Sequence, residues 1–201
     1  MAASIVVTYD GRGVATMLSA ATLLASPDRL GRALHDGVRA AGDKTRTVVR
    51  KTLRQQMGTK RYGAVVAATR SFIPGPMTYV IEGRGKGLPI FEFPVRGSRA
   101  KRRTWREQPR DAAGRFGPLP PSDIGFVTAR PWRVARNFKR SFVAQDGTYK
   151  ARLPGSQRTR KLFGPSVAKE IVKDAARAAF ETTATREMDV QIAKRLARLV
   201  P

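Results

Sequence analysis

The chain has 201 residues, with 39 Lys and Arg against 15 Asp and Glu, a formal net charge of +24, one His and no Cys. That length suits one domain with its own core and room for an extension, and the charge points to anionic partners: nucleic acid, an acidic protein ring or an anionic membrane surface. Disulfides and thiolate metal sites are excluded, a reducing compartment is compatible, and no apolar run approaches the length of a membrane span.

Met1-Ala-Ala-Ser4 lacks the charged start of a secretory signal, and Ser4 to Tyr9 reads as a short strand. Val14 to Leu24, small and apolar, reads as a short helix that docks on a neighbour or, equally, packs in its own subunit. Residues 1–25 therefore form an N-terminal extension. Ser26-Pro27-Asp28 is a helix start: Ser caps, Pro suits the first turn and Asp suits the positive end of the dipole. The helix is expected over Pro27–Met57, with Leu30, Leu34, Val38, Ala41, Thr45, Val48 and Leu53 as its buried stripe. Basic residues occupy much of the rest. Gly31, Gly37 and Gly42 weaken it, and a kink near Gly42-Asp43 is expected.

Thr59 to Phe72 reads as a second, shorter helix or helix-like turn, stopped by Ile73-Pro-Gly-Pro76. Strands are expected at residues 77–82, 90–95, 123–129, 141–145 and 148–153. Phe91 and Phe93 alternate with Glu92, which makes one apolar face. Pro94 puts that strand at an edge or at its end. Gly83-Arg-Gly-Lys-Gly87 lacks the Gly-Lys-Ser/Thr ending and the following helix of a phosphate loop, so it reads as a hairpin tip.

Arg96 to Pro121 is the most basic loop: eight cations against Glu107 and Asp111, a net +6. Its prolines and glycines argue against a packed core. Trp105 lies among Arg99, Lys101, Arg102, Arg103, Arg106 and Arg110. These residues suit phosphate contact with base stacking, a loop ordered against a partner subunit, or a mobile tip between strands. In the stretch from Ser141 to Val167, Asp146-Gly147 is a hairpin signal. Tyr149, Ala151 and Leu153 then alternate with Lys150 and Arg152. Pro154-Gly155 ends that strand, and Gly164-Pro165-Ser166 opens the final helix, expected from Ser166 to about Leu199. Its stripes are Val167, Ile171, Ala175, Ala178 and Thr182, then Met188, Ile192, Leu196 and Leu199, with a bend at Thr182–Thr185. Unbroken, it would be about 50 Å long, which suggests that part of it packs on another subunit, with a folded-back helix pair as the alternative. The fold class is α+β: an antiparallel sheet of four to five strands packed by a long N-terminal helix, a core over residues 26–165, and a C-terminal helix over 166–201.

The succession Ser141-Phe-Val-Ala144, Asp146-Gly147, Lys150-Ala-Arg152 and Arg160-Lys-Leu-Phe-Gly-Pro-Ser-Val167 resembles the phage minor tail protein Z family of tail-completion or neck proteins. Gly87-Leu-Pro-Ile-Phe-Glu-Phe93 and the order of parts resemble it too, from about Leu30 to the end. The resemblance implies a structural virion protein in the tail and neck region, present in the host cytoplasm during assembly. It implies a homo-oligomeric ring, hexameric by tail symmetry, that joins the tail terminator or tail tube to the head connector, with packaged double-stranded DNA in its lumen. Leu162, Phe163, Pro165, Ile192, Leu196 and Leu199 are then subunit-interface candidates, and Arg99 to Arg110 face DNA or a partner. No cofactor and no membrane enter this reading.

An enzyme is not expected. His35 is a lone histidine on a helix, where a surface or packing role is usual. No His/Cys cluster has ligand spacing, and no nucleophile setting appears. Glu170 and Asp174 share a helix face but are flanked by Lys169 and Lys173. A non-sequence-specific nucleic-acid-binding protein is the alternative that charge supports, though no helix-turn-helix, RNP or zinc-finger pattern is visible.

Overall fold

The computed structural model describes residues 3–8, 27–99, 106–107, 109–117, 125–153 and 158–199. The α+β class stands, with long helices near both ends. The chain forms two compact units: Met1–Met57, Arg61–Lys86 and Pro165–Pro201 are the first, Gly58–Lys60 and Gly87–Gly164 the second. The expected Val14–Leu24 helix lies outside the described residues.

The first unit holds β1 (Ala3–Thr8), α1 (Pro27–Met57), α2 (Tyr62–Ala67), β2 (Thr69–Gly75), β3 (Thr78–Gly83), α3 (Val167–Glu170) and α4 (Asp174–Leu196). Helix α1 starts and ends where its cap and stripe place it. Its buried residues are Gly37, Val38, Ala41, Gly42, Thr45, Val49, Leu53 and Met57. Val49 replaces the expected Val48, and Leu30 and Leu34, expected in the same stripe, are only half-buried. The helix runs unbroken through Gly42. That glycine serves close approach, since a Cβ there would lie 2.2 Å from Cγ and Cδ2 of Tyr79. The Tyr79 hydroxyl donates to Asp43 Oδ1 at 2.7 Å, and burial raises its pKa, with the Asp43 bond adding to the rise and a hydrogen bond with Ser71 opposing it.

Strand β3 is central, antiparallel to both β1 and β2. Tyr79, Val80 and Ile81 are all buried, as a strand covered on both faces requires. The expected helix over Thr59–Phe72 is therefore half right: α2 ends at Ala67 and the chain turns into β2. Thr69 fixes this change, its hydroxyl donating to Val65 O at 3.0 Å and accepting from Arg50 Nε at 2.6 Å. Arg46 Nη1 donates to Ser71 Oγ at 2.7 Å, a second tie from α1 to β2. Because β3 pairs on both sides, Gly83–Gly87 is a connection and not the hairpin tip expected of it; the hairpin turns at Pro76-Met77.

The C-terminal helix is not continuous. Lys173 is extended and Asp174 has φ 45°, so α3 stops and α4 starts afresh. Gln56 braces the break. Its Nε2 donates to Glu170 Oε2 at 3.1 Å, and its Oε1 accepts from the Ala176 N–H at 3.0 Å, one of the amides that a helix start leaves without a partner. Restarting shifts the phase. The buried face of α4 is Ala176, Phe180, Thr183, Ala184, Met188, Gln191, Ile192 and Leu196. Ala175, Ala178 and Thr182, expected inside, are exposed. Helix α4 runs without interruption through Thr182–Thr185, where the Thr182 and Thr185 hydroxyls donate to Ala178 O and Glu181 O. This face packs on α1, where a Cβ at Gly37 would stand 2.9 Å from Ile192 Cγ1.

The second unit holds two three-stranded antiparallel sheets, where one sheet of four to five strands was expected in the whole chain. One is β4 (Val95–Ser98), β5 (Phe126–Ala129) and β6 (Arg136–Phe138). The other is β7 (Ser141–Val143), β8 (Tyr149–Arg152) and β9 (Thr159–Lys161). Ile90–Glu92 is a turn of 3-10 helix and not a strand. Pro89 and Pro94 flank it and supply no N–H for a ladder. Phe91 is consequently 52% exposed and Phe93 wholly buried, so they do not share a face. The buried Ser141 ties the sheets together, its hydroxyl accepting from Val127 N at 2.8 Å and donating to Phe138 O. The unit begins and ends at neighbouring points: Gly164 N donates to Leu88 O at 2.7 Å, and a Cβ on Gly87 would meet Gly164 O.

The β7–β8 hairpin turns at Asp146-Gly147, with Gly147 at φ +75°. The Thr148 hydroxyl, then the Thr148 N–H and the Lys150 ammonium, hold the exposed Asp146 carboxyl down from 3.8 to about 2. A carboxyl whose folded pKa is depressed adds stability above its unfolded pKa and loses it as pH falls through the folded value. The stability advantage of the native chain over Asp146→Asn should therefore be constant near neutrality. It should shrink below pH 3.8 and vanish on passing about 2. Paired denaturant titrations across that range check it. An advantage independent of pH would show that the carboxylate charge does not hold this turn.

Candidate polyanion-binding face

The second unit carries 19 Lys and Arg against five Asp and Glu, a net +14 out of the chain's +24. On one of its sheets, strand β5 alternates: Val127 and Ala129 are buried, Phe126 and Thr128 point outward. Register sets Arg96 of β4 opposite Thr128, Ser98 opposite Phe126, and Asn137 of β6 opposite Thr128 on the other side. Arg96, Thr128 and Asn137 thus form a row across the outer face. The Thr128 hydroxyl donates to Asn137 Oδ1 at 2.6 Å.

A groove of about 590 Å³ runs along this face, lined by Lys60, Pro94, Val95, Arg96, Phe126, Thr128, Arg130 and Ala135. Three lining residues are cationic and none is acidic. Arg130 is seated by its backbone, its N–H donating to Pro94 O at 2.8 Å and its carbonyl accepting from Arg133 N at 3.2 Å. Lys60 is placed by its N–H to Glu92 O at 2.7 Å. Phe126 is 53% exposed.

Beside the groove, Trp132 and Arg133 both adopt positive φ, 52° and 62°, a conformation costly for side chains of that size. Gly58 packs beneath them, where a Cβ would lie 3.0 Å from Arg133 N. The Arg136 guanidinium lies 4.9 Å from the Trp132 ring centroid, close enough for a cation–π contact.

Of the residues singled out in the basic loop, Lys101, Arg102, Arg103 and Trp105 lie outside the described residues. Arg99 is exposed and bridges Val143 through its backbone. Arg106 is exposed. Arg110 lies 4.5 Å over the Phe116 ring and donates to Gly114 O at 2.8 Å. Asp111 Oδ1 closes that turn by accepting from the Ala113 and Arg115 amides. This part of the loop has local order of its own.

The interface candidates separate by burial. Ile192, Leu196 and Leu162 are at most 7% exposed, and Pro165 is buried as well. In the single chain these four therefore present little surface of their own. Leu199 is half-buried, and Phe163 is 52% exposed. The groove residues Phe126, Thr128 and Arg130 were missed in the sequence. The only local signal was their period-two spacing, and the row with Arg96 exists through cross-strand register alone.

Among the described residues, no group of three or more His, Cys, Asp or Glu could hold a metal ion, and no helix is long and apolar enough to cross a membrane. No family model, no curated protein and no solved structure matches the chain.

Proposed function

We propose that the chain is a structural virion protein of a tailed phage, one subunit of a ring at the head–tail junction that turns a basic surface toward packaged double-stranded DNA. The observation that carries this reading is where the charge falls. The second unit, which contains most of the Ser141–Val167 stretch with its resemblance to tail-completion proteins, also holds +14 of the net charge. Cations spread over several strands and turns suit weak, sequence-independent contact with phosphates, as a DNA passage needs. A heterologous contact that closes would make the ring. Phe163, exposed before α3, and Val190, 51% exposed on α4, supply apolar surface for it. The chemistry proposed is binding and not turnover.

Light scattering and electron microscopy of the purified chain test this. Closed rings of one size are expected, with the protein also present in purified virus particles. Phe163→Glu, at an exposed position, should leave the fold intact and abolish the rings. A chain that stays monomeric at every concentration and is absent from particles would overturn the proposal. It would favour a monomeric nucleic-acid-binding protein, a second reading that the groove beside Phe126 supports.

A further inference from the structure

We infer that the outer face of the β4–β5–β6 sheet is a binding groove for an unpaired nucleic-acid strand, with Phe126 as its base-stacking platform. The inference goes beyond the ring proposal and does not need it: a lone protomer contains the whole groove.

Charge is the first argument. Lys60, Arg96 and Arg130 line the groove with no acid among them, so an anionic occupant is attracted along its length. Spacing is the second. Phe126, Thr128 and Arg130 follow one another at every second residue, about 7 Å apart along an extended chain. Arg96 stands beside Thr128 across the ladder. The outer face therefore offers a ring, a hydroxyl and a guanidinium in line, with another guanidinium alongside. A strand of nucleotides presents the matching series of bases and phosphates.

The ring decides between occupants. Phe126 is half exposed at the side of β5 that carries Thr128, while Val127 and Ala129 fill the interior. An exposed aromatic ring interleaved with cations gains by stacking on a base, whatever its identity. A duplex keeps its base faces inside and can offer the groove phosphates only. An acidic peptide satisfies the cations but has no flat partner for the ring. Unpaired nucleotides use both features.

The test is fluorescence anisotropy on the full chain, with labelled oligothymidylate, a duplex of equal length, and polyglutamate as competitor. Oligothymidylate should bind more tightly than duplex. Phe126→Leu should weaken oligothymidylate binding about tenfold and leave duplex binding unchanged. Phe126→Tyr, which keeps a ring, should retain wild-type affinity, so a general loss of fold is separated from loss of stacking. Arg96→Ala and Arg130→Ala should each lower the magnitude of the salt slope by about one. The inference is overturned if Phe126→Leu binds oligothymidylate like the native chain. It is also overturned if duplex and single strand bind the native chain equally, or if polyglutamate at equal charge displaces the strand as well as unlabelled oligothymidylate does. Assembly of rings tests the other proposal, so either can fail alone.

Discussion

Gly42→Ala should lower the melting temperature by about 10 °C, although alanine is the better helix former. The helical gain is about 1 kcal/mol. Against it stands the Tyr79 ring, 2% exposed, whose atoms lie 2.2 Å from where the new methyl must go. A ring held between α1 and the sheet cannot swing aside as the end of a lysine could. Overpacking of this kind costs about 1–3 kcal/mol. Moving the ring also breaks the 2.7 Å bond to Asp43, which adds about 1 kcal/mol. The balance is a loss of about 2 kcal/mol, and a unit of this size loses several degrees for each. Gly31, on the same helix, has nothing within 4 Å of a built Cβ, so Gly31→Ala should raise the melting temperature instead. Thermal melts of the two variants check the contrast. If both raise it, the contact with Tyr79 is not what requires glycine at residue 42.

The second large effect is on DNA binding. Affinity for duplex DNA should fall about a thousandfold between 50 and 200 mM salt, the behaviour of a protein that neutralises about six phosphates. The exposed cations of the second unit far exceed that number: Arg133, Arg136, Lys139 and Arg140 alone crowd the β6 segment and its flanks. Each phosphate contact displaces condensed counterions, so a plot of log affinity against log salt has a slope set by the number of contacts. Replacing Arg136, Lys139 and Arg140 together by Gln should lower the magnitude of that slope by up to about three. Anisotropy measured over a salt series reads both quantities. A flat plot would remove electrostatic contact with DNA as a property of this chain.

Local chemistry made some elements legible. The cap at Ser26-Pro27-Asp28 and the apolar stripe marked α1, and Asp146-Gly147 marked the β7–β8 hairpin. Other elements depend on partners far away in the chain. Helix α4 takes its phase from a break braced by Gln56, more than a hundred residues upstream, and no periodicity inside residues 166–199 carries that information. Strand β2 looked helical because Tyr62, Val65, Val66 and Thr69 keep a helical spacing, but Thr69 ends that helix and Arg50 draws it toward α1. The positive charge of the site was plain from composition. The groove was not, since Arg96 and Thr128 are 32 positions apart and meet only in register.

The meeting of Gly87 with Gly164 has a consequence for how such a chain could arise. An element whose first and last residues touch can be spliced into a host, or cut out of it, without rerouting the host backbone. Residues 87–164 have that property, and the paired long helices are continuous with sequence on either side. The charged sheets then read as a cassette closed at both ends, to which Gly58–Lys60 is the one addition from earlier in the chain, through the Lys60 N–H on Glu92 O.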